Sequence, residues 1–115
     1  MPEPTIDPAT FAELEATAGP DFIAELVDTF LAEAPLMIDE LRRAYAARDA
    51  DVFRRAAHSL KSNSLTFGAL ALGALARELE LGGLDPVLKA GGAPLEALAQ
   101  QYTRVAAALT ELRNA

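Results

Sequence analysis

The chain has no cysteine, no tryptophan and one histidine in 115 residues. Without thiols it can form neither disulfides nor thiolate metal sites, it has no cysteine nucleophile, and a reducing compartment is permitted. A lone imidazole leaves no recognisable transition-metal site, so no metal or other cofactor is expected on the chain itself. Long apolar runs are also missing. The charge-free stretch from Leu65 to Ala76 is twelve residues long and includes Gly68 and Gly73, short of the roughly 18 residues that a membrane-spanning helix requires. Positive charge is absent from the first third, where Glu3 to Glu40 carries only acidic side chains and every Lys and Arg lies at or after Arg42. The opening Met1-Pro2-Glu3-Pro4 lacks the basic and apolar character of a signal segment. With a net charge of -7, nucleic acid is not an expected partner, because phosphate backbones are bound through clustered cations. The expectation is a soluble, cytoplasmic, monomeric protein with one domain over residues 1–115.

Apolar periodicity is helical along nearly the whole chain. Asp7 and Pro8 suit an N-cap and first helical position for a short segment carrying Phe11 and Leu14, which Gly19 ends. After Pro20, the spacing of Phe22, Ile23, Leu26, Val27, Phe30, Leu31, Met37, Ile38, Leu41 and Tyr45 predicts a long helix with a broad apolar stripe. The stripe resumes beyond Pro35, so the proline predicts a kink and not an end. Asp49 caps a third helix running to about Phe67. A fourth presents Leu72, Leu75 and Leu79 before Gly82-Gly83, and a glycine-rich loop follows with a short helical turn at Pro86 to Lys89. A last helix opens at Pro94 with a seam of Leu95, Leu98, Tyr102, Val105, Leu109 and Leu112. These elements predict an all-α fold, an antiparallel four-helix bundle with a short extra N-terminal helix.

His58 sits inside the third helix. At 100° per residue, Val52, Phe53, Ala56, Leu60, Asn63, Ser64 and Phe67 fall roughly opposite it, while Arg54, Arg55, Lys61, Ser62 and Leu65 share its side. The imidazole is thereby directed away from the core. Six of the ten cations, Arg42, Arg43, Arg48, Arg54, Arg55 and Lys61, fall within twenty residues that end at this motif, which puts the one basic region of an acidic protein around its only histidine.

The segment Ala57-His58-Ser59-Leu60-Lys61-Ser62-Asn63-Ser64, followed by Gly68-Ala69, resembles the motif of histidine phosphotransfer (HPt) domains. Upstream, Phe30-Leu31-Ala32-Glu33-Ala34-Pro35, Leu41 and Asp49-Ala50-Asp51 fit the family's second helix and the turn before its active helix. Downstream, Leu79-Glu80 fits the close of the following helix, so the likeness covers about residues 20–81. One departure is Ser62, where the family usually has glycine. Serine is small enough to keep the approach open, and its hydroxyl is placed to bond back to the His58 carbonyl or to touch a phosphoryl group.

The resemblance implies a phosphoryl carrier of a two-component phosphorelay, without autonomous catalytic turnover. His58 would accept a phosphoryl group from the phospho-aspartate of a receiver domain and pass it to another receiver. Lys61 would offset charge on that group, and Glu80 would orient the imidazole. Arg54, Arg55, Leu65, Gly68, Ala69 and Arg77 are the candidate partner-docking residues. The implied partners are response-regulator receiver domains and a hybrid sensor kinase, with Mg2+ held by the receiver. The alternative is a receiver-binding adaptor or inhibitor on the same fold that is not phosphorylated.

Overall fold

The computed structural model describes residues 4–114; Met1 to Glu3, the start read above as lacking a signal segment, lie outside them, as does Ala115. Six helices follow one another among the described residues: α1 (Pro8–Ala18), α2 (Pro20–Ala47), α3 (Ala50–Thr66), α4 (Leu70–Gly82), α5 (Leu84–Lys89) and α6 (Ala93–Asn114). No helix among them is long and apolar enough to cross a membrane. The bundle closes as a ring in which α2 packs on α3, α3 on α4, α4 on α6 and α6 on α2. The extra helix α1 lies against α2 and α3, and the single turn and a half of α5 sits in the connection from α4 to α6. This is the expected four-helix bundle with its short N-terminal addition.

Local chemistry explains the boundaries. The Asp7 carboxylate accepts from the Thr10 N–H at 3.1 Å and starts α1, with Pro8 in the first turn where no donor is lost. Asp49 does the same for α3 through the Val52 N–H at 3.1 Å. Between them α2 ends on Arg48, which adopts a left-handed conformation (φ 56°, ψ 40°) that crowds its Cβ. Arg48→Gly is accordingly expected to stabilise the fold by about 1 kcal/mol, measured as a rise in the midpoint of chemical denaturation with an unchanged slope.

Ile23, Val27, Phe30, Ala34, Ile38, Leu41 and Ala44 form the buried stripe of α2, and it faces Phe53, Ala56, Ala57 and Leu60 of α3, Leu72, Ala76 and Leu79 of α4, and Leu95, Leu98, Val105 and Leu109 of α6. Phe22, counted in that stripe from its spacing, is 53% exposed, because one residue before Ile23 is a 100° step off the stripe. Leu112, in the last turn of α6, also stays largely outside the core.

Helix α2 continues unbroken through Pro35. A proline in a helix interior has no N–H to give the carbonyl four residues earlier, here that of Leu31. The Tyr102 hydroxyl, reaching across from α6, approaches this carbonyl at 3.5 Å as a long hydrogen-bond donor. Burial pushes the Tyr102 phenol above its ordinary pKa and keeps it protonated. Its ring also packs 6.1 Å from Phe30, which stacks in turn 5.1 Å from Phe67. Tyr102→Phe retains the ring and removes the donor, with an expected destabilisation of about 1 kcal/mol in chemical denaturation.

Candidate functional site

His58 emerges from the middle of α3, on the side opposite Phe53, Ala56 and Leu60, which are buried. Its side chain is 57% exposed. Helix α4 lies antiparallel beside α3, and its last turns bring Glu80 to the imidazole. The distance from Glu80 Oε2 to His58 Nδ1 is 2.5 Å. The other oxygen of the same carboxylate, Oε1, accepts from Lys61 Nζ at 2.7 Å. One carboxylate with a 15% exposed side chain therefore serves two cationic or donor groups of the neighbouring helix.

This sharing fixes the chemistry of the ring. The Lys61 hydrogen bond is the largest influence on the Glu80 carboxyl and draws its pKa below the ordinary value; partial burial opposes the shift, and the His58 hydrogen bond and the two nearby charges reinforce it. Glu80 is thus an anion at neutral pH. A carboxylate can only accept, so Nδ1 carries the proton of the bond, and in the neutral ring Nε2 keeps the lone pair on a half-exposed side chain. Pinning one ring nitrogen and freeing the other is how a histidine is prepared as a nucleophile.

Around the ring, Arg54, Arg55, His58, Ser59 and Glu80 line an open depression of about 360 Å³. Both guanidinium groups are exposed and paired with Asp51, Arg54 at 3.2 Å and Arg55 at 3.0 Å. Arg77 is exposed on α4. Lys61, at 22% exposure, does not line the depression: its ammonium is turned onto Glu80. Among the described residues, no three His, Cys, Asp or Glu side chains converge as metal ligands.

Two of the docking candidates are not at the surface. Ala69 is fully buried and Gly68 is also inside. Gly68 meets the segment before α1, where the Asp7 N–H donates to its carbonyl at 2.8 Å. Gly68 has φ +83°, and a Cβ there would stand 3.0 Å from the Asp7 carbonyl oxygen, so the turn needs glycine for conformation and for space. Leu65 is 42% exposed, with the rest of its side chain lying over Gly73 of α4. Ser62 is exposed as expected, but within α3 the hydroxyls that bond back one turn belong to Ser64, which reaches the Leu60 carbonyl at 2.6 Å, and to Thr66, which reaches the carbonyl of Ser62 at 3.0 Å.

Ser59 was not singled out from the sequence, although it directly follows His58. Gly73 was also passed over as a site residue. A glycine in the interior of a predicted helix, where it costs stability relative to alanine, is the signal that marks such a close approach.

The Hpt domain family matches residues 25–115. The chain is similar to the crystal structure of histidine-containing phosphotransfer protein B from Pseudomonas aeruginosa PAO1, with 26% identity, a TM-score of 0.89, and coverage of 98% of this chain and 97% of that one. No curated protein sequence matches it.

Proposed function

The chain belongs to the Hpt domain family, and on that premise we propose that His58 is its phosphoryl-carrying residue, loaded from the phospho-aspartate of one receiver domain and discharged to the aspartate of another. The observation that carries this reading is the outward, half-exposed imidazole held through Nδ1 by an anionic Glu80. In the forward step Nε2 attacks phosphorus, the P–O bond to the receiver's carboxylate breaks, and that carboxylate leaves with the bonding pair. The new P–N bond gives the ring a positive charge while Nδ1 keeps its proton, and Glu80 lies hydrogen-bonded to that proton. Discharge reverses the sequence, with neutral imidazole departing. Receiver-bound Mg2+ would offset charge on the phosphoryl oxygens, and Lys61, one turn of helix away with its ammonium on Glu80, adds positive charge beside the ring.

Arg54 and Arg55, on the rim of the depression, are the proposed contacts for the acidic surroundings of a receiver's aspartate, with Leu65 and Arg77 at the edge of the same docking area. The partners on this reading are response-regulator receivers and the receiver of a hybrid sensor kinase, met by a cytoplasmic monomer that acts as carrier and not as an enzyme with turnover.

The test mixes the protein with a panel of phosphorylated receiver domains and follows the appearance of phosphate that is labile in acid and stable in base. Transfer from at least one receiver, and from the loaded protein onward to a second, is the expected result. Measurable receiver binding without label from any of them would replace this reading with the unphosphorylated adaptor.

A further inference from the structure

The shared carboxylate depends on how α3 and α4 are set against each other, and the contact nearest to a limit between them lies away from the reacting atoms. A Cβ on Gly73 would stand 2.6 Å from Leu65 Cδ2 and 3.0 Å from Leu65 Cγ, with the Lys61 carbonyl oxygen at 3.8 Å. Real side chains do not approach so closely, so the absence of a side chain at Gly73 is what admits Leu65. Gly73 is itself buried, and no other described glycine within a helix is met so closely.

The two contacts are in register. His58 and Leu65 are seven residues apart on α3, as are Gly73 and Glu80 on α4. Seven residues make nearly two full turns and return a helix to almost the same face, about 20° short. In an antiparallel pair, the Leu65–Gly73 contact at one end therefore lies on the same seam as the His58–Glu80 hydrogen bond two turns away. Lys61 lies between the two along α3. Its carbonyl is near Gly73, and its ammonium is on Glu80.

We propose that Gly73 is a positioning residue for phosphotransfer: by accepting Leu65 over its bare backbone it holds α4 close enough to α3, and in the right register, for one Glu80 carboxylate to reach both His58 Nδ1 and Lys61 Nζ. Displacing α4 by even 1 Å would lengthen two bonds that now measure 2.5 and 2.7 Å to values at which they weaken steeply. The inference rests on His58 being the phosphoryl carrier for its consequence in rate, while its geometric part stands independently.

The test uses Gly73→Leu, Gly73→Ala and each of them combined with Leu65→Ala, in the full-length protein. Two readouts are taken: the ring 15N signals of His58, unambiguous because it is the only histidine, and the rate of transfer from a phosphorylated receiver. In Gly73→Leu the ring is expected to lose its fixed Nδ1–H tautomer, and transfer is expected to slow by about tenfold or more. Adding Leu65→Ala, which vacates the space, returns the ring signals to the wild-type pattern. The ring signals alone judge this rescue, because Leu65 also belongs to the proposed docking area, and Leu65→Ala by itself serves as the reference for rate. A purely structural role would not move the tautomer, and alanine is the better helix former, so Gly73→Ala would then simply stabilise α4. A folded Gly73→Leu with unchanged ring signals, or a change in those signals that Leu65→Ala does not reverse, overturns the proposal. If Gly73→Leu does not fold, the same two criteria decide on Gly73→Ala, with a smaller, severalfold effect expected. Failure of wild-type protein to accept phosphate from any receiver would instead remove the phosphotransfer reading, leaving the ring signals to judge the positioning alone.

Discussion

His58→Gln is expected to reduce phosphoryl labelling by ~10³-fold or more, to background, while leaving the fold intact. Loss of the attacking nitrogen removes the covalent intermediate itself, and the chain contains no second histidine and no cysteine to take its place. Stability should change by less than about 0.5 kcal/mol, since the side chain is mostly solvent-exposed and glutamine retains an amide that can donate to Glu80. The measurement is acid-labile, base-stable phosphate on wild type and variant after incubation with the same phosphorylated receiver, with thermal unfolding run alongside. Equal labelling of the variant would move the carrier residue elsewhere and remove His58 from the mechanism.

The second large effect is expected at Glu80, whose two oxygens have different partners. Glu80→Ala removes the acceptor for both, freeing the ring to exchange tautomers and releasing Lys61, and transfer should slow by about 100-fold. Glu80→Gln has one acceptor oxygen in place of two, and its NH2 can only donate, to the Nδ1 lone pair of the wrong tautomer, so a loss of about tenfold is expected. Activity of Glu80→Ala within twofold of wild type would show that the imidazole needs no orienting partner.

Acid adds a second signature at the same residue. Because the folded pKa of Glu80 is held below the ordinary value of 4.5, chiefly by Lys61, its ionised form is favoured by folding. That contribution to stability is fully present above the unfolded value and is lost as pH falls through the depressed folded one. The acid side of the stability profile should therefore be shallower in Glu80→Gln than in wild type. Asp7, lowered by its bonds with Thr10, and Asp28, lowered by the Arg113 pair, retain their parts of the slope in both proteins. Superimposable acid profiles would mean that the Glu80 carboxylate is equally stable folded and unfolded.

Much of the bundle was legible because its signals are local. Caps at Asp7 and Asp49, the breaks at Gly19 and Gly82-Gly83, and apolar spacing located the helices within a residue or two, even in the short turn that became α5. The direction of His58 was equally legible, since the phase of α3 is set by Phe53, Ala56 and Leu60 on its own helix. Phe22 shows the limit of such counting. A wide stripe admits neighbours 100° off its centre, and only packing decides which of them is covered.

Gly68 and Ala69 failed as docking residues for a different reason. They lie in the turn after α3, where Gly68 is met by Asp7 from a segment some sixty residues earlier and Ala69 is fully buried. Leu65, placed correctly on the side of His58, is half engaged by a glycine eight residues later on another helix.

The amino-acid order by itself determined which residues form helices, which face each helix buries, and that a single imidazole within a basic region points to solvent. These follow from rotation per residue and from terminal hydrogen bonding, which need no distant partner. Only the tertiary structure decided that Glu80 is shared between His58 and Lys61, that Lys61 is turned away from the open depression, and that Tyr102 answers the carbonyl left by Pro35. Those facts depend on the spacing and register between helices, which side-chain volumes at remote contacts such as Leu65 and Gly73 set, and which no single helix carries in its own periodicity.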